Sequence, residues 1–180
     1  MIVFDTETTG LLSSSFVPSA MQPKIIEFAA IKLNDKFEEV SRLEFLCNPG
    51  EKLTKKITDL TGITDKDLGD KPNFYFYYPQ LVDFFNDEKT MVAHNLIFDY
   101  RMLKLELTRI GKQDGFPMPE RKICTMHLTK PLLAKWLKLS HLYEHLTKKT
   151  LVNAHRAMND VEALTDCVRI LNEMEWIKCT

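Results

Sequence analysis

The chain has 180 residues, of which 44% are hydrophobic and 27% are charged, and its formal net charge is −1 at pH 7. This composition is typical of a globular protein and excludes a disordered or fibrous chain. No apolar run approaches the roughly 20 residues of a transmembrane helix, and the N-terminus lacks the features of a signal peptide. We therefore expect one domain over residues 1–180, located in the cytoplasm and without membrane contact.

The charge is distributed unevenly along the chain. Between Arg101 and Lys149 there are eleven basic and four acidic residues, which leaves a net charge of +7 in this stretch and −8 elsewhere. Such an asymmetry can attract a polyanion to one side of the molecule while another side stays acidic enough to bind cations. A lysine-rich solvated face without a partner is the alternative.

Strands are predicted mainly in the first quarter of the chain. Residues Met1–Thr6 form a short apolar run bounded by Thr-Gly, which predicts a buried central strand. A loop rich in Ser and Pro, Gly10–Pro23, follows it. Two further strands, Ile25–Leu33 and Ser41–Cys47, lie on either side of the polar Asn34-Asp35-Lys36 and predict a hairpin.

Helices predominate in the remainder, together with two short strands, Thr90–Ala93 and Arg121–Cys124. The predicted helices are Thr54–Leu60, Phe74–Phe85, Phe98–Ile110, Thr125–Ala134, Ser140–Lys148 and Arg156–Met174. Thr64 and Asp67 have the spacing of a capping box. Early strands followed by alternating helices predict an α/β fold, with a mixed five-stranded sheet, helices on both faces and Asp5 on the middle strand.

The opening strand carries two carboxylates, Asp5 and Glu7, one residue apart. Side chains i and i+2 of a strand share a face and lie about 7 Å apart, so unpaired carboxylates here would repel each other and lose hydration. A cation between them or protonation of one relieves this cost, and oxygen ligands favour Mg²⁺ or Mn²⁺. A structural pair near the strand end is the alternative, and it is the more common one for an isolated D-x-E.

Two later stretches place acidic residues at predicted helix starts. VAHNLIFD puts Asp99 in the first turn of a helix, where a carboxylate can also serve only as a cap. HRAMNDV places His155 five residues before Asp160 at the start of the last helix, so that both can face one cavity. Each stretch on its own is compatible with a structural role.

Taken in order, these stretches resemble the DEDDh branch of the DnaQ-like 3′→5′ exonucleases, a family that includes RNase T-like, DNA polymerase III epsilon-like and exodeoxyribonuclease X-like proteins. FDTETTG resembles the first motif of the family, VAHNLIFD the second and HRAMNDV the third. GITDKDLGDKP and ICTM resemble its connecting stretches. The resemblance covers nearly the whole chain and implies a ribonuclease H-like core.

The resemblance also implies a two-metal site for phosphodiester hydrolysis. Its metal ligands would be Asp5, Glu7, Asp99 and Asp160, with Asp5 shared by two Mg²⁺ or Mn²⁺ ions, and His155 would be the general base. Two divalent ions roughly 3.5–4 Å apart stabilise the attacking and leaving oxygens of an in-line displacement. An imidazole with an ordinary pKa of about 6.5 can accept a proton near neutral pH.

Contacts to the terminal nucleotide are implied for a second set of residues: Thr8, Gly10, Leu11, His94, Asn95 and Phe98. Leu11 would act as an apolar wedge, and stacking contacts tolerate any base. The sequence departs from the family at Thr61, where many relatives have His, and in the long loop of residues 12–22. The expected partner is a single-stranded 3′ end, with DNA favoured over RNA, and the expected products are nucleoside 5′-monophosphates.

Three alternatives stay open at this point. An RNA-trimming exoribonuclease of the same family shares these motifs. A catalytically weak adaptor would use the fold to bind a DNA polymerase or nucleic acid. A glycosidase-type hydrolase would use Asp5 and Glu7 but leave Asp99, His155 and Asp160 without a role. The end of the chain soon after the last predicted helix favours a stand-alone enzyme, and the family resemblance is compatible with a homodimer.

Overall fold

The fold is organised around one mixed sheet of five strands in the order β3-β2-β1-β4-β5. The computed structural model describes residues 1–14, 16–133, 135–152 and 154–178. Its strands are β1 (Ile2–Thr8), β2 (Ile25–Leu33), β3 (Glu39–Leu46), β4 (Thr90–Ala93) and β5 (Arg121–Cys124). β1 pairs antiparallel with β2 and parallel with β4, so the strand that carries Asp5 is the middle one, as predicted.

Helices connect the strands and cover the sheet. In the described residues they are α1 (Lys55–Thr61), α2 (Asp65–Leu68), α3 (Tyr78–Phe85), α4 (Leu96–Arg109), α5 (Thr125–Leu128), α6 (Lys130–Leu133), α7 (Leu139–Thr147) and α8 (Ala157–Glu173). Short 3₁₀ turns, Ser19–Met21 and Phe74–Tyr77, precede β2 and α3. None of the helices among these residues has both the length and the apolar character needed to cross a membrane.

Two stretches predicted as single helices are divided in the structure. Phe74–Phe85 begins as a 3₁₀ turn and becomes α-helical at Tyr78, next to Pro79, whose ring suits the first turn of a helix. The prediction of one helix over Thr125–Ala134 is wrong, since α5 and α6 are separate. Pro131 has no N–H for an intrahelical hydrogen bond, which explains the break, and Ala134 lies outside the described residues.

The alternation of side chains along β1 assigns them to two hydrophobic cores. Ile2 and Phe4 pack with residues of α3 and α4 on one face of the sheet. Val3 packs with residues of α8 on the other face. Because successive strand residues point to opposite faces, Asp5 continues the series of Val3 toward α8, whereas Thr6 points toward α4.

Aromatic side chains pack against one another on the α4 side of the sheet. Phe4, Phe28 and Phe85 are fully buried, and their ring centroids lie 6.1–6.4 Å apart. Truncating one such side chain to Ala typically costs about 3–5 kcal/mol of stability. The carboxylates at the end of β1 are therefore carried by a well-packed strand rather than by a loop.

Candidate active site

Three potential ligands meet where β1 ends and α8 begins. Glu7, His155 and Asp160 each offer one ligand atom, and these atoms all lie within 4.8 Å of one another. Asp160 is buried in the first turn of α8, while His155 is exposed just before the helix. The fold therefore brings together residues from opposite ends of the chain.

The backbone fixes His155 relative to Asp160. His155 has a φ of 68°, in the left-handed region, where a non-glycine residue is destabilised by about 1–2 kcal/mol. Its N–H donates to Asp160 Oδ2 at 2.9 Å. A carboxylate can accept about four hydrogen bonds, so Asp160 keeps acceptor capacity for a cation.

Asp99 reaches β1 from the first turn of α4. The side chain is buried, and its Oδ1 accepts hydrogen bonds from the Thr6 backbone N–H at 3.1 Å and from the Thr6 hydroxyl at 2.8 Å. These bonds hold the carboxylate against the strand residue next to Asp5. Asp99 is not one of the three residues whose ligand atoms lie within 4.8 Å of one another. Its charge nevertheless acts on the same site, because it raises the pKa of Asp5.

The carboxylates on β1 are difficult to ionise in this setting. Burial raises the pKa of Asp5 well above its ordinary value, and the charges of Asp99, Glu7 and Asp160 raise it further. Burial, followed by the charges of Asp160 and Glu27, raises the pKa of Glu7 to about 8. Repulsion between buried like charges is relieved by a cation or by protons.

The two helical carboxylates show the same direction of shift. Burial raises the pKa of Asp99, although the hydrogen bonds from Thr6 oppose this. Burial also raises the pKa of Asp160, against the hydrogen bond from the His155 N–H. All four acidic side chains of the predicted catalytic set therefore favour a compensating positive charge.

The chemistry of this donor set fits a hard divalent cation. Carboxylate oxygens are the ligands preferred by Mg²⁺ and Mn²⁺, and the cluster contains no thiolate. A nearby cation would reverse the upward pKa shifts, because it stabilises the ionised carboxylates. The residues that could hold such ions are Asp5, Glu7, Asp99 and Asp160.

Glu27 is a buried carboxylate that sequence reasoning missed. It lies opposite Glu7 in the β1–β2 ladder and has no exposed surface. Its Oε1 accepts from Arg156 Nη2 at 2.7 Å, and its Oε2 accepts from the Ala157 N–H at 2.8 Å. Glu27 thereby fixes the two residues that follow His155. The sequence does contain a signal for this residue, since Glu27 is the one acidic residue in the otherwise apolar run IIEFAAI.

The predicted nucleotide contacts of the first motif lie beside the carboxylates in sequence. The Thr8 hydroxyl donates to the Gly10 carbonyl at 2.7 Å. A Cβ on Gly10 would meet only Pro23, at an ordinary 3.9 Å, so packing against the described residues does not require glycine there. Leu11 is 80% exposed, which leaves its apolar side chain free to contact a ligand.

The predicted contacts of the second motif are partly engaged with the protein itself. His94 Nδ1 lies 3.0 Å from the Thr125 hydroxyl, and Nε2 lies 2.9 Å from the Leu137 carbonyl. A carbonyl only accepts, so Nε2 carries the proton that it donates to Leu137. A polar contact from His94 to a nucleotide would compete with these bonds. Asn95 precedes α4 with a φ of 69°, and Phe98 is partly buried.

The loop of residues 12–22 is tied to the C-terminal part of α4. The Arg109 guanidinium donates to the carbonyls of Ser19, Gln22 and Pro23 at 2.8–2.9 Å. Arg109 also pairs with buried Glu106 at 2.7 Å. The long loop is thus anchored at its end near β2, and Ser15 within it lies outside the described residues.

Thr61, the departure from the family pattern, has a local structural role. It is buried at the end of α1, where its hydroxyl donates to the Ile57 carbonyl at 2.9 Å and accepts from the Ile63 N–H at 3.1 Å. Both hydrogen bonds of the hydroxyl therefore stabilise the turn that follows α1.

A family model for the RNase T exonucleases matches residues 2–168 of the chain. The chain belongs to the DnaQ-like 3′→5′ exonuclease family. It is an exonuclease with a ribonuclease H-like fold, and the family generally uses divalent metals. The sequence expectations of family, fold and enzyme class are confirmed.

The similar PolC-type DNA polymerases are much longer than this chain. The PolC-type DNA polymerase III of Halalkalibacterium halodurans is 37% identical over 165 residues, which are 90% of this chain and 10% of that protein. The PolC-type enzyme of Clostridium perfringens is 32% identical over 168 residues, or 93% of this chain and 11% of that protein. The chain spans about a tenth of the length of these relatives.

Solved structures show the same fold at lower identity. Exonuclease X in complex with 5′-overhanging duplex DNA has a TM-score of 0.68 and 23% identity, covering 98% of this chain and 93% of that one. The nuclease domain of 3′hExo, a DEDDh family member bound to rAMP, has a TM-score of 0.76 and 15% identity, covering 96% and 91%.

Proposed function

We propose that residues 1–180 form one domain that hydrolyses phosphodiester bonds from the 3′ end of single-stranded or frayed DNA in the cytoplasm and releases nucleoside 5′-monophosphates. The observation that carries this proposal is the meeting of Glu7, His155 and Asp160 within 4.8 Å, beside the raised-pKa carboxylates of Asp5 and Asp99. This arrangement uses all three motifs, which a glycosidase-type pair of carboxylates would not.

Asp5, Glu7, Asp99 and Asp160 would hold two divalent cations, Mg²⁺ or Mn²⁺. When bound, the ions supply positive charge that stabilises the attacking and leaving oxygens of the scissile phosphodiester. The support for this assignment is the concentration of carboxylates whose pKa values are raised by burial and by each other. Without compensating charge, the same carboxylates would repel the substrate phosphate.

We assign the general base to His155. Its imidazole is exposed and lies next to Glu7 and Asp160, so it can reach a water molecule at the scissile phosphate. The water oxygen bonds to phosphorus and His155 takes one of the protons of the water. The bond from phosphorus to the 3′ oxygen of the preceding nucleotide breaks, and this oxygen leaves with the electron pair on the shortened strand and takes a proton from solvent. The hydrogen bond from the His155 N–H to Asp160 keeps the backbone of the base in place during this step.

DNA is the preferred substrate in this proposal because the PolC-type relatives, which are 32% and 37% identical to the chain, are DNA polymerases. An RNA-trimming activity is the second candidate, favoured by the rAMP bound to the related nuclease domain of 3′hExo. The similarity to PolC-type enzymes also supports a DNA polymerase as a partner of this protein. An adaptor without activity has less support, since every predicted catalytic position carries the expected residue.

The test uses matched DNA and RNA strands labelled at either end, incubated with Mg²⁺, Mn²⁺ or EDTA. Wild type should release the 3′ label first and shorten the 5′-labelled strand stepwise, only with metal. Asp5→Asn should reduce both to background, whereas Asp35→Asn, on the exposed β2–β3 turn, should retain activity. Strands that stay intact although the protein binds them would favour the adaptor, and release in EDTA would contradict metal dependence.

A further inference from the structure

An exposed tryptophan lies on the basic side of the molecule. Trp136 is 52% exposed, and the Lys130 Nζ lies 4.3 Å from the centre of its ring. The His127 ring lies 4.7 Å away, tilted by 51°. A large aromatic side chain that stays half in water among cations is a common feature of surfaces that bind single-stranded nucleic acid.

The charge around Trp136 has one sign. From Arg121 to Tyr143 the sequence contains five Lys or Arg residues and no Asp or Glu. Lys130, Lys135 and Lys138 are all exposed. We name this surface the tryptophan patch; its members are His127, Lys130, Lys135, Trp136 and Lys138. The patch suits a polyanion, because no carboxylate of its own segment neutralises these lysines.

The tryptophan patch is connected to the second motif through one hydrogen bond of its neighbour Leu137. Leu137, the neighbour of Trp136, is buried, and its carbonyl accepts the hydrogen bond from His94 at 2.9 Å. His94 directly precedes Asn95, after which α4 begins and carries Asp99. The segment that carries Trp136 therefore lies next to the second motif, which ends in Asp99.

We propose that Trp136 is a stacking subsite for a base upstream of the scissile phosphate, and that Lys130, whose Nζ lies over the indole ring, turns to the adjoining backbone phosphate when the base binds. This inference rests on the proposed exonuclease function and adds a residue that the three motifs do not include. Stacking on an indole ring accepts any base, which suits an enzyme that moves along arbitrary sequence. The ligand class is single-stranded nucleic acid.

Fluorescence tests the contact without turnover. The chain has two tryptophans, so Trp176→Phe makes Trp136 the sole indole emitter. In an Asp5→Asn, Trp176→Phe protein, single-stranded oligonucleotides of two to ten nucleotides should quench this emission above a threshold length. Quenching in this inactive protein supports the subsite whether or not wild type cleaves DNA. Unchanged emission with every strand, although binding is seen by anisotropy, would overturn the proposal.

Kinetics separate the subsite from the catalytic centre. Trp136→Ala should raise the KM for a ten-nucleotide strand roughly tenfold with little change in kcat, and Trp136→Phe should restore most of the loss. The p-nitrophenyl ester of thymidine 5′-monophosphate is too short to span both sites, so its hydrolysis should be affected at least fivefold less. Phe76→Ala, at an aromatic residue that is 60% exposed elsewhere, is the matched control.

The outcomes distinguish the two proposals. If wild type hydrolyses neither the ester nor the strands, the exonuclease function fails, and quenching alone decides the subsite. If wild type hydrolyses both while Trp136→Ala and Phe76→Ala leave the KM for the strand equally unchanged, the exonuclease function stands and the subsite is overturned. An equal loss on the ester and on the strand would also overturn it, since it would indicate damage to the catalytic centre.

Discussion

Arg156 donates from both Nε and Nη2 to Oε1 of Glu27, at 3.0 and 2.7 Å. The pair joins β2, the neighbour of the middle strand, to the residue that follows His155. Glu27 is fully buried, while the Arg156 side chain is 45% exposed. The contact therefore anchors the start of α8, which carries Asp160 and lies just after the proposed general base.

We predict that Glu27→Gln lowers kcat by about 10–100-fold and changes KM little, because the orientation of His155 and Asp160 is lost while substrate contacts remain. The amide oxygen of Gln can still accept from the Ala157 N–H, so the fold should persist. Steady-state kinetics on a labelled strand, with thermal melting in parallel, measures this effect.

Glu173→Gln, the same change at the exposed C-terminal end of α8, is the matched control and should have wild-type kcat. A Glu27→Gln enzyme with unchanged kcat would show that the ion pair does not position the catalytic residues.

The Thr6 hydroxyl offers a second test of positioning. Thr6→Val removes the 2.8 Å hydrogen bond to Asp99 but keeps the backbone bond and the strand-forming branched side chain. We expect about 1–2 kcal/mol lower stability and roughly tenfold weaker activation by Mg²⁺, measured as the metal concentration at half-maximal rate. Thr108→Val, on the exposed face of α4, should leave that concentration unchanged. Equal values for both variants would contradict the role of Thr6.

The clustered carboxylates predict how stability depends on pH. Glu7 ionises with a pKa of about 8 in the fold against an ordinary 4.5, so the folded protein binds more protons than the unfolded chain between these values. Its contribution to stability is therefore lost as the pH rises from about 4.5 to about 8. In EDTA, the melting temperature should fall over this range, and Mg²⁺ should restore it most strongly near pH 8.

Glu7→Gln removes the titrating group and should flatten this part of the pH profile. A stabilisation of about 1 kcal/mol corresponds to roughly 2–4 °C in a protein of this size. Melting curves of both proteins from pH 5 to 8.5, with and without Mg²⁺, measure the difference. Parallel profiles for Glu7→Gln and wild type would contradict the proposed repulsion.

Arg109 should control the order of the loop of residues 12–22. Arg109→Ala removes the hydrogen bonds to the loop carbonyls and leaves Glu106 buried without its cation, a loss of about 3–5 kcal/mol. Urea denaturation and limited proteolysis should show lower stability and faster cleavage within the loop. Arg42→Ala, which breaks only exposed ion pairs, should cost at most about 1 kcal/mol. Similar losses in both variants would contradict the anchor.

Local patterns in the sequence predicted most of the fold. The apolar run at the N-terminus gave the central strand, and Asn34-Asp35-Lys36 gave the antiparallel β2–β3 hairpin. The capping box is confirmed, since the Thr64 side chain accepts from the Asp67 N–H and the Asp67 side chain accepts from the Thr64 N–H. These features depend on residues close together in the chain, so short-range rules suffice.

Contacts between distant parts of the chain could not be predicted in this way. Glu27 and Arg156 are 129 residues apart, and His94 and Leu137 are 43 residues apart. No periodicity or spacing reports which partner a buried polar group will find, because that depends on how helices cross the sheet. The wrong prediction of a single helix over Thr125–Ala134 had a local cause, Pro131, that was visible in the sequence.

The proposed hydrolysis is tested by a mass spectrum of the products formed from a single-stranded DNA oligonucleotide in H₂¹⁸O with Mg²⁺. Attack of water on the terminal phosphodiester predicts nucleoside 5′-monophosphates that carry one ¹⁸O in the phosphate, released one at a time from the 3′ end. Products with 3′-phosphates, larger internal fragments or no ¹⁸O in the phosphate would contradict the proposed chemistry at Asp5, Glu7, Asp99, His155 and Asp160.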